Sequence, residues 1–411
     1  MVLKLSTKKT ITSFQRGDVT TTFNQFFFNK SFHNLYFLFV IFNLQTKIKQ
    51  IYEQTKLYRS QKCANVLKNI MCSARVSFFS RIFASMKEIN WGFIGCGDVT
   101  EKKSGPAFNE VAGSKIVAVM SRSENKARSY AERHHVPKWY TDAQQLIDDP
   151  DVNAIYVATP PSSHATFAIM AMHAGKPVYV EKPLAATYDD CVRVNRISEQ
   201  TGVPCYVAYY RRYLPYFQKV KDIVKSGVLG KIVRVQIRLT SPLDLDTSAG
   251  KPLPWRLQPE IAGGGLFYDL APHQIDLLQE IFGVITEASG ICANRGGYYS
   301  AEDSVSACFL FENGLPGSGS WCFVVHPSAK EDCIEITGEE GTLCFSAFSF
   351  DPITLTTSEG TSTFDIPNPT YVQQPIIKAV VEALQGIGDC TSTSESATSV
   401  NWVLDRILGK F

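Results

Sequence analysis

The run Trp91-Gly92-Phe93-Ile94-Gly95-Cys96-Gly97 decides the fold. Its first half is apolar and reads as a short buried strand. The strand stops at a G-x-G turn. Such a turn lets backbone N–H groups approach a pyrophosphate, and the helix that follows offers the positive end of its dipole. Thr100 stands where a third glycine would complete G-x-G-x-x-G. Cys96, inside the turn, reads as a small side chain that fits there.

Moving outward, strand and helix alternate from Lys87 onward. Ile116 to Met120, Ala154 to Ala158, Pro177 to Val180 and Val203 to Ala208 read as buried strands. Asn125 to His134 and Ala165 to Ala174 read as helices between them, with His134 and His135 as solvated residues. This order predicts a parallel, doubly wound sheet.

In such a sheet, ligands lie beyond the carboxyl ends of the strands. Three loops qualify. Ser121-Arg122-Ser123 begins 24 residues after Gly97, where dinucleotide folds often carry an acid for the ribose of NAD. A hydroxyl and a guanidinium instead suit a 2′-phosphate, so NADP is expected over NAD. Thr159-Pro160-Pro161-Ser162-Ser163-His164 should face the cofactor, with His164 starting or capping the next helix. Glu181-Lys182-Pro183 closes the fifth strand, and Pro183 makes a cis bond an option. An ammonium there can polarise a carbonyl or ease ionisation of a hydroxyl.

A second cluster runs from Gly263-Gly264-Gly265 through Asp269 and His273 to Asp276. Asp269 and His273 are four apart and share one face of a helix, as does Asp276. An imidazole titrates in the right range to pass a proton near neutral pH. Pro272 predicts that the helix begins near it. The three glycines would let backbone pass close to a ligand.

Gly95-x-Gly97, Thr159-Pro160, Glu181-Lys182-Pro183 and Gly263-Gly264-Gly265…Asp269-x-x-x-His273-x-x-Asp276, taken in order, resemble the glucose–fructose oxidoreductase / inositol dehydrogenase (Gfo/Idh/MocA) family. The resemblance covers about Met86 to Phe411. It implies an N-terminal Rossmann domain and a C-terminal α/β domain on an open, mostly antiparallel sheet. It also implies hydride transfer between NADP(H), or NAD(H), and a hydroxyl or carbonyl carbon of a sugar or polyol. By match, Lys182, Asp269 and His273 are the catalytic residues, and with Arg212 they would bind substrate. The cofactor would meet Gly95, Gly97, Asp98, Val99, Ser121, Arg122, Thr159, Pro160, His164, Glu181, Lys182, Trp255 and Arg256. Tyr210-Arg211-Arg212 and Trp255-Arg256 look like further landmarks of the family. Two rival readings stand beside this one: a redox-type glycosidase that holds NAD, and a non-enzymatic nucleotide sensor.

After Arg212 the pattern changes. Val233, Val235, Ile237 and Leu239 alternate with Arg234, Gln236 and Arg238, a half-buried strand. Val305 to Phe311, Gly319 to Val325, Ile334 to Thr337 and Thr342 to Phe345 extend the series, with a hairpin loop at Thr337 to Gly341. An antiparallel sheet needs helices on one face only, so the other could bury against a second copy. Homo-oligomers through this sheet are expected. The Ser/Thr-rich stretch Thr391 to Ser399 reads as a loop into a last helix, Val400 to Leu408. The loop Leu243 to Pro259, with Asp244, Asp246, Lys251 and Arg256, is polar but does not name a substrate.

Charge divides the chain. Before Met86 there are 13 Lys/Arg against 2 acidic residues, and after it 28 against 37. The acidic remainder argues against a nucleic-acid partner, which needs a basic face. Residues 1–85 read as a non-core extension, with Met86 as the favoured true start and an organelle transit peptide as the alternative. The run Leu35 to Phe42 is far shorter than the roughly 20 residues of a membrane span, so no membrane partner is expected. The dinucleotide domain is expected over 86–208 and the substrate-binding and oligomerisation domain over 209–411. The 11 cysteines include no C-x-x-C pair, which fits reduced thiols in a cytoplasmic protein and gives no metal site.

Overall fold

The computed structural model describes residues 86–244 and 252–411. The expectations for residues 1–85, and for Asp246 and Lys251, lie outside the described residues.

The first layer alternates as the sequence pattern requires: β1 (Ile89–Ile94), α1 (Asp98–Lys102), α2 (Gly105–Glu110), β2 (Ser114–Met120), α3 (Glu124–His134), β3 (Lys138–Tyr140), α4 (Ala143–Asp148), β4 (Ala154–Val157), α5 (His164–His173), β5 (Val178–Val180), α6 (Tyr188–Thr201) and β6 (Cys205–Val207). The six strands are parallel in the order β3-β2-β1-β4-β5-β6. Trp91, Phe93, Tyr156 and Tyr179 from β1, β4 and β5 are fully buried around Phe108 of α2. Ring centroids there lie 4.8–6.1 Å apart, and each such pair adds about 0.5–1.5 kcal/mol beyond its buried area. The strand order reverses between β1 and β4, which opens a crevice at their carboxyl ends.

Gly95 occupies φ +111°, and a Cβ there would lie 2.7 Å from the Ala158 carbonyl oxygen. Only glycine fits, so the first turn packs against the loop after β4. A Cβ on Gly97 would meet nothing within 4 Å. Thr100 is buried and donates from Oγ1 to the Gly97 carbonyl at 2.7 Å. Its own carbonyl crowds Gly105, where a Cβ would collide. The close approach that a third glycine usually permits is therefore supplied from α2. Helix α1 has only 5 residues, so the dipole expected behind the turn is small and the backbone N–H groups matter more.

The second layer comprises α7 (Pro215–Lys225), β7 (Ile232–Thr240), α8 (Pro259–Ala262), α9 (Leu266–Phe282), β8 (Ile285–Ala293), β9 (Ser304–Phe311), β10 (Pro316–Cys322), β11 (Glu331–Gly338), β12 (Gly341–Phe345), β13 (Ile353–Thr357), β14 (Gly360–Phe364), α10 (Gln374–Gln385) and α11 (Ser394–Ile407). Its eight strands run β14-β13-β12-β11-β7-β10-β9-β8. Only β7 and β10 pair in parallel; the other pairs are antiparallel. Val235, Ile237 and Leu239 are buried, as the alternation predicts, whereas Val233, expected with them, is 40% exposed. Trp321 of β10 packs edge-on to Phe267 of α9, with centroids 4.9 Å apart, and its indole donates to Gln274 at 2.7 Å.

Two expectations change, and strands such as β8 escaped the sequence pattern. β8 was not legible, because only Ile285 and Ala288 in it are buried and no alternation results. The Ser/Thr-rich stretch is not all loop: α11 starts at Ser394, with Thr393 and Ser396 forming a capping box. Helix α9 begins at Leu266, so Pro272 lies inside it rather than at its start. The proline merely leaves the Tyr268 carbonyl without its usual helical donor.

Candidate active site

Gly95 N–H donates to the Met120 carbonyl, Ala158 N–H to Ile94 and Glu181 N–H to Val157, each at 2.9 Å. These bonds set the glycine turn, the Thr159 loop and the Glu181-Lys182-Pro183 segment side by side at the carboxyl edge of the sheet. The Lys182–Pro183 peptide is cis. His164 starts α5 as expected, and it ties two of these loops together. Its Nδ1 lies 2.8 Å from the Pro183 carbonyl and its Nε2 2.6 Å from the Thr159 carbonyl. Burial holds its pKa below the ordinary histidine value, and a neutral ring donates to only one of the two.

Glu181 faces inward, away from the role expected for it. Its carboxylate accepts from the Tyr156 hydroxyl and from Gln373 Nε2, both at 2.7 Å. It anchors the turn from which Lys182 projects. Lys182 Nζ reaches helix α9, donating to Asp269 Oδ1 at 2.6 Å and to the Asp269 carbonyl at 2.7 Å. Arg256, stacked 4.4 Å over the Trp255 ring, brings its Nε to 3.4 Å from Asp269 Oδ2. Burial pushes the Asp269 carboxyl up, but the charges of Lys182 and Arg256 hold it below the usual carboxylate range.

His273 sits one turn along α9 from Asp269. The rings of Tyr210, Phe348 and Tyr209 surround it, with centroids 5.2, 6.1 and 6.2 Å away. Its pKa lies well below the ordinary value, first through burial and then through the charges of Arg211, Lys182 and Lys103. The imidazole is therefore neutral at neutral pH, and its Nδ1 is buried without a hydrogen-bond partner.

Arg212 does not join this group, which corrects its assignment to substrate. Its Nη2 and Nε bond Asp276 at 2.6 and 2.9 Å, and its Nη1 bonds Glu280 at 2.7 Å and the Thr391 carbonyl at 2.9 Å. The residue beside it, Arg211, borders His273 instead. The three glycines also serve the protein rather than a ligand. A Cβ on Gly263 would strike the Ala186 carbonyl, and one on Gly265 the Glu302 backbone, so the segment threads a gap that admits no side chain. His134 is not simply solvated, because its Nε2 lies 2.7 Å from Glu101.

Two family models and several known proteins match this chain. The oxidoreductase family model with an NAD-binding Rossmann fold matches residues 89–209, and the Gfo/Idh/MocA C-terminal domain model matches 217–344. An oxidoreductase from Formosa agariphila is 39% identical over 324 residues, covering 78% of this chain and 98% of its own. The chain belongs to the Gfo/Idh/MocA family. A 1,5-anhydro-D-fructose reductase from Ensifer adhaerens is 27% identical, over 74% of this chain and 91% of its own. The solved structure of a levoglucosan dehydrogenase with NADH and levoglucosan superposes with a TM-score of 0.71 at 23% identity, covering 78% of this chain and 96% of that one. As a Gfo/Idh/MocA protein, the chain is an NAD-binding oxidoreductase.

The residues present fit that dinucleotide. The space above Gly97 is open, and a side chain there would fill the cradle. Gly95, Asp98 and Val99 stand at the same turn, and Thr159 and Pro160 at the adjacent loop. Ser121 and Arg122 end β2, with Arg122 exposed. Burial, and then the charge of Glu101, push the Cys96 thiol up to about 12. Sequence reasoning missed Lys103, whose charge lowers both Asp269 and His273 from the end of α1; its place three residues after Thr100 carried no visible signal. No group of metal ligands occurs, and no helix is long and apolar enough to cross a membrane, among the described residues.

Proposed function

We propose that this protein interconverts a secondary alcohol and a carbonyl on a sugar or polyol. The single observation that carries the reading is the Lys182–Asp269 pair, 2.6 Å apart at the carboxyl edge and one helical turn from the neutral His273. The relatives' printed names, an anhydrofructose reductase and a levoglucosan dehydrogenase, support a sugar.

The nicotinamide, when bound, takes or returns the hydride. Lys182 has three N–H donors. Two meet Asp269, and the third is left for the substrate oxygen, where its charge stabilises a developing alkoxide. His273 accepts the hydroxyl proton in oxidation and returns it in reduction. Asp269 keeps Lys182 in place and balances its charge. A panel of sugars and polyols, followed through the absorbance of reduced nicotinamide, tests the reading. Oxidation of at least one supports it. Release of a leaving group with no net change in cofactor would replace it with a redox-assisted glycosidase.

NADP is the preferred dinucleotide in this reading. Arg122 is exposed beside Ser121, with no carboxylate before Glu124. The nearby Arg133 is not available, because it grips Glu101 at 2.6 and 2.8 Å. Arg122→Ala should weaken NADP about tenfold, the size of one charge-assisted contact, and leave NAD nearly unchanged. Equal weakening would overturn the preference.

The outer face of the second sheet, with Arg234 and Arg238 beside Glu335 and Glu331, is the proposed contact between two copies. Sedimentation as a monomer would remove it. The nine cysteines among the described residues are free thiols, which supports a cytoplasmic home.

A further inference from the structure

Arg211 is a buried cation that forms no ion pair among the described residues. It is 3% exposed. Among the described residues its one hydrogen bond runs from Nε to the Ala347 carbonyl at 2.8 Å, and Nη1 is buried with no partner. The other cations near the site differ. Lys182 has Asp269 at 2.6 Å, and Arg256 reaches the same carboxylate at 3.4 Å. Arg212 has Asp276 and Glu280. A sealed guanidinium with no anion costs stability.

The fork is held ready. Its plane lies between two rings, 4.9 Å from the centroid of Tyr210 and 4.5 Å from that of Phe348. Phe348 is in turn fixed by its loop. Asp332 accepts the backbone N–H groups of Ala347, Phe348 and Ser349 at 3.0, 2.6 and 2.8 Å. With Nε already bonded, the free end of the fork is the Nη1–Nη2 edge, which matches a planar carboxylate. The same two rings border His273, whose Nδ1 is also buried without a partner. A sugar whose reacting carbon lies at Lys182 and His273 would therefore have another of its substituents beside Arg211.

We propose that Arg211 determines specificity by binding a carboxylate on the sugar, so that the substrate is a sugar acid rather than a neutral sugar. The proposal rests on reading the site as a sugar dehydrogenase. It predicts that the buried charge is there for recognition and not for holding the fold.

The test compares D-glucuronate with D-glucose, D-galacturonate with D-galactose and D-gluconate with D-glucitol, in wild type, Arg211→Gln and Arg211→Lys. Cofactor reduction gives kcat and KM, calorimetry on the cofactor-loaded enzyme gives binding, and melting curves check the fold. Wild type should prefer at least one acid to its neutral partner. Arg211→Gln should lose about tenfold to 100-fold in kcat/KM for that acid, the size of a charge-assisted bidentate contact. Its loss on the neutral partners, which lack the carboxylate, should be at least about tenfold smaller than its loss on the acid. Arg211→Lys, which keeps the charge but not the fork, should fall between and carries the test should Gln not fold. Wild-type preference for neutral sugars, or equal loss on both classes, overturns the proposal and leaves the dehydrogenase reading intact. Arg211-dependent binding of an acid without any hydride transfer keeps the subsite and removes the dehydrogenase reading. If acids neither bind nor turn over, the proposal falls.

Discussion

Two ion pairs hang on helix α9, one on its first turn and one two turns further on. Lys182–Asp269 and Arg212–Asp276 both close at 2.6 Å. Their surroundings differ. Lys182 and Asp269 keep 13% and 16% of their side chains exposed, while Arg212 and Asp276 keep 4% and 1%. Burial raises both carboxyls. At Asp269 the flanking cations outweigh it, and at Asp276 it prevails over Arg212. Lys182 retains one donor without a protein partner among the described residues, whereas each nitrogen of Arg212 is engaged inside the protein. Distance alone does not tell a reacting pair from a structural one. What is left unsatisfied, and whether solvent can reach it, does.

The sharpest way to break this contrast is to remove one cation from each pair. Lys182→Ala and His273→Ala should each lower kcat/KM by about 10²–10⁴-fold, the range of a positioned acid or base. For Lys182→Ala the melting temperature should barely move, because Arg256 still faces Asp269. Arg212→Ala should do the reverse. It strands Asp276 in the interior, while Glu280 keeps Lys221 at 3.2 Å, so denaturant unfolding should report a loss of about 3–5 kcal/mol. The folded fraction should keep its kcat. A stable Arg212→Ala protein that no longer binds substrate would return Arg212 to the cleft.

The contrast also shows where sequence stops being informative. The glycine turn and Glu181-Lys182-Pro183 were legible because each lies between an apolar run and a residue with a fixed backbone demand. That Asp269 and His273 share one helix was legible from their spacing of four. Arg211 and Arg212 were not separable, since adjacent residues of one composition differ only in direction. The 3-10 turn Tyr210–Tyr213 decides it, turning Arg212 toward Asp276 and Arg211 toward Phe348. Lys103 lay outside every motif. Pro272 misled because a helix can carry a proline inside it when one missing N–H is tolerated. The edge strand β8 escaped because so little of it is buried.

The two glycines of the first turn give a finer comparison of the same kind, structural against functional. Gly95→Ala forces a side chain into φ +111° and against the Ala158 carbonyl. It should cost about 1–3 kcal/mol in a urea titration. Gly97→Ala meets no protein atom within 4 Å and sits in extended backbone, so stability should hold or rise by up to about 1 kcal/mol, because alanine leaves the unfolded chain less freedom to lose. Its effect should fall on cofactor titration, where the new methyl stands in the cradle. A Gly97→Ala protein with unchanged dinucleotide affinity would place the phosphates elsewhere.

The smallest effect is a pH slope, and its sign follows from His273. The native pKa is depressed, chiefly by burial and then by Arg211, Lys182 and Lys103. The unfolded chain takes up a proton near the ordinary value of about 6.5, while the native ring stays neutral. The stability this residue contributes is thus fully present above about pH 6.5 and is lost as pH falls from there toward the native value. The loss should approach about 1.4 kcal/mol per pH unit for one proton. Comparing wild type with His273→Gln isolates it, because the similarly depressed His164 is present in both. The difference in unfolding free energy between the two proteins should be flat above about pH 6.5 and should shift against wild type below it. Arg211→Gln removes the largest of the charges acting on the ring, so its His273 should titrate nearer the ordinary value and the sloping window should narrow. Parallel curves for wild type and His273→Gln down to pH 5 would mean that the ring is not shut away from water, and the neutral base beside Lys182 would have to be reconsidered.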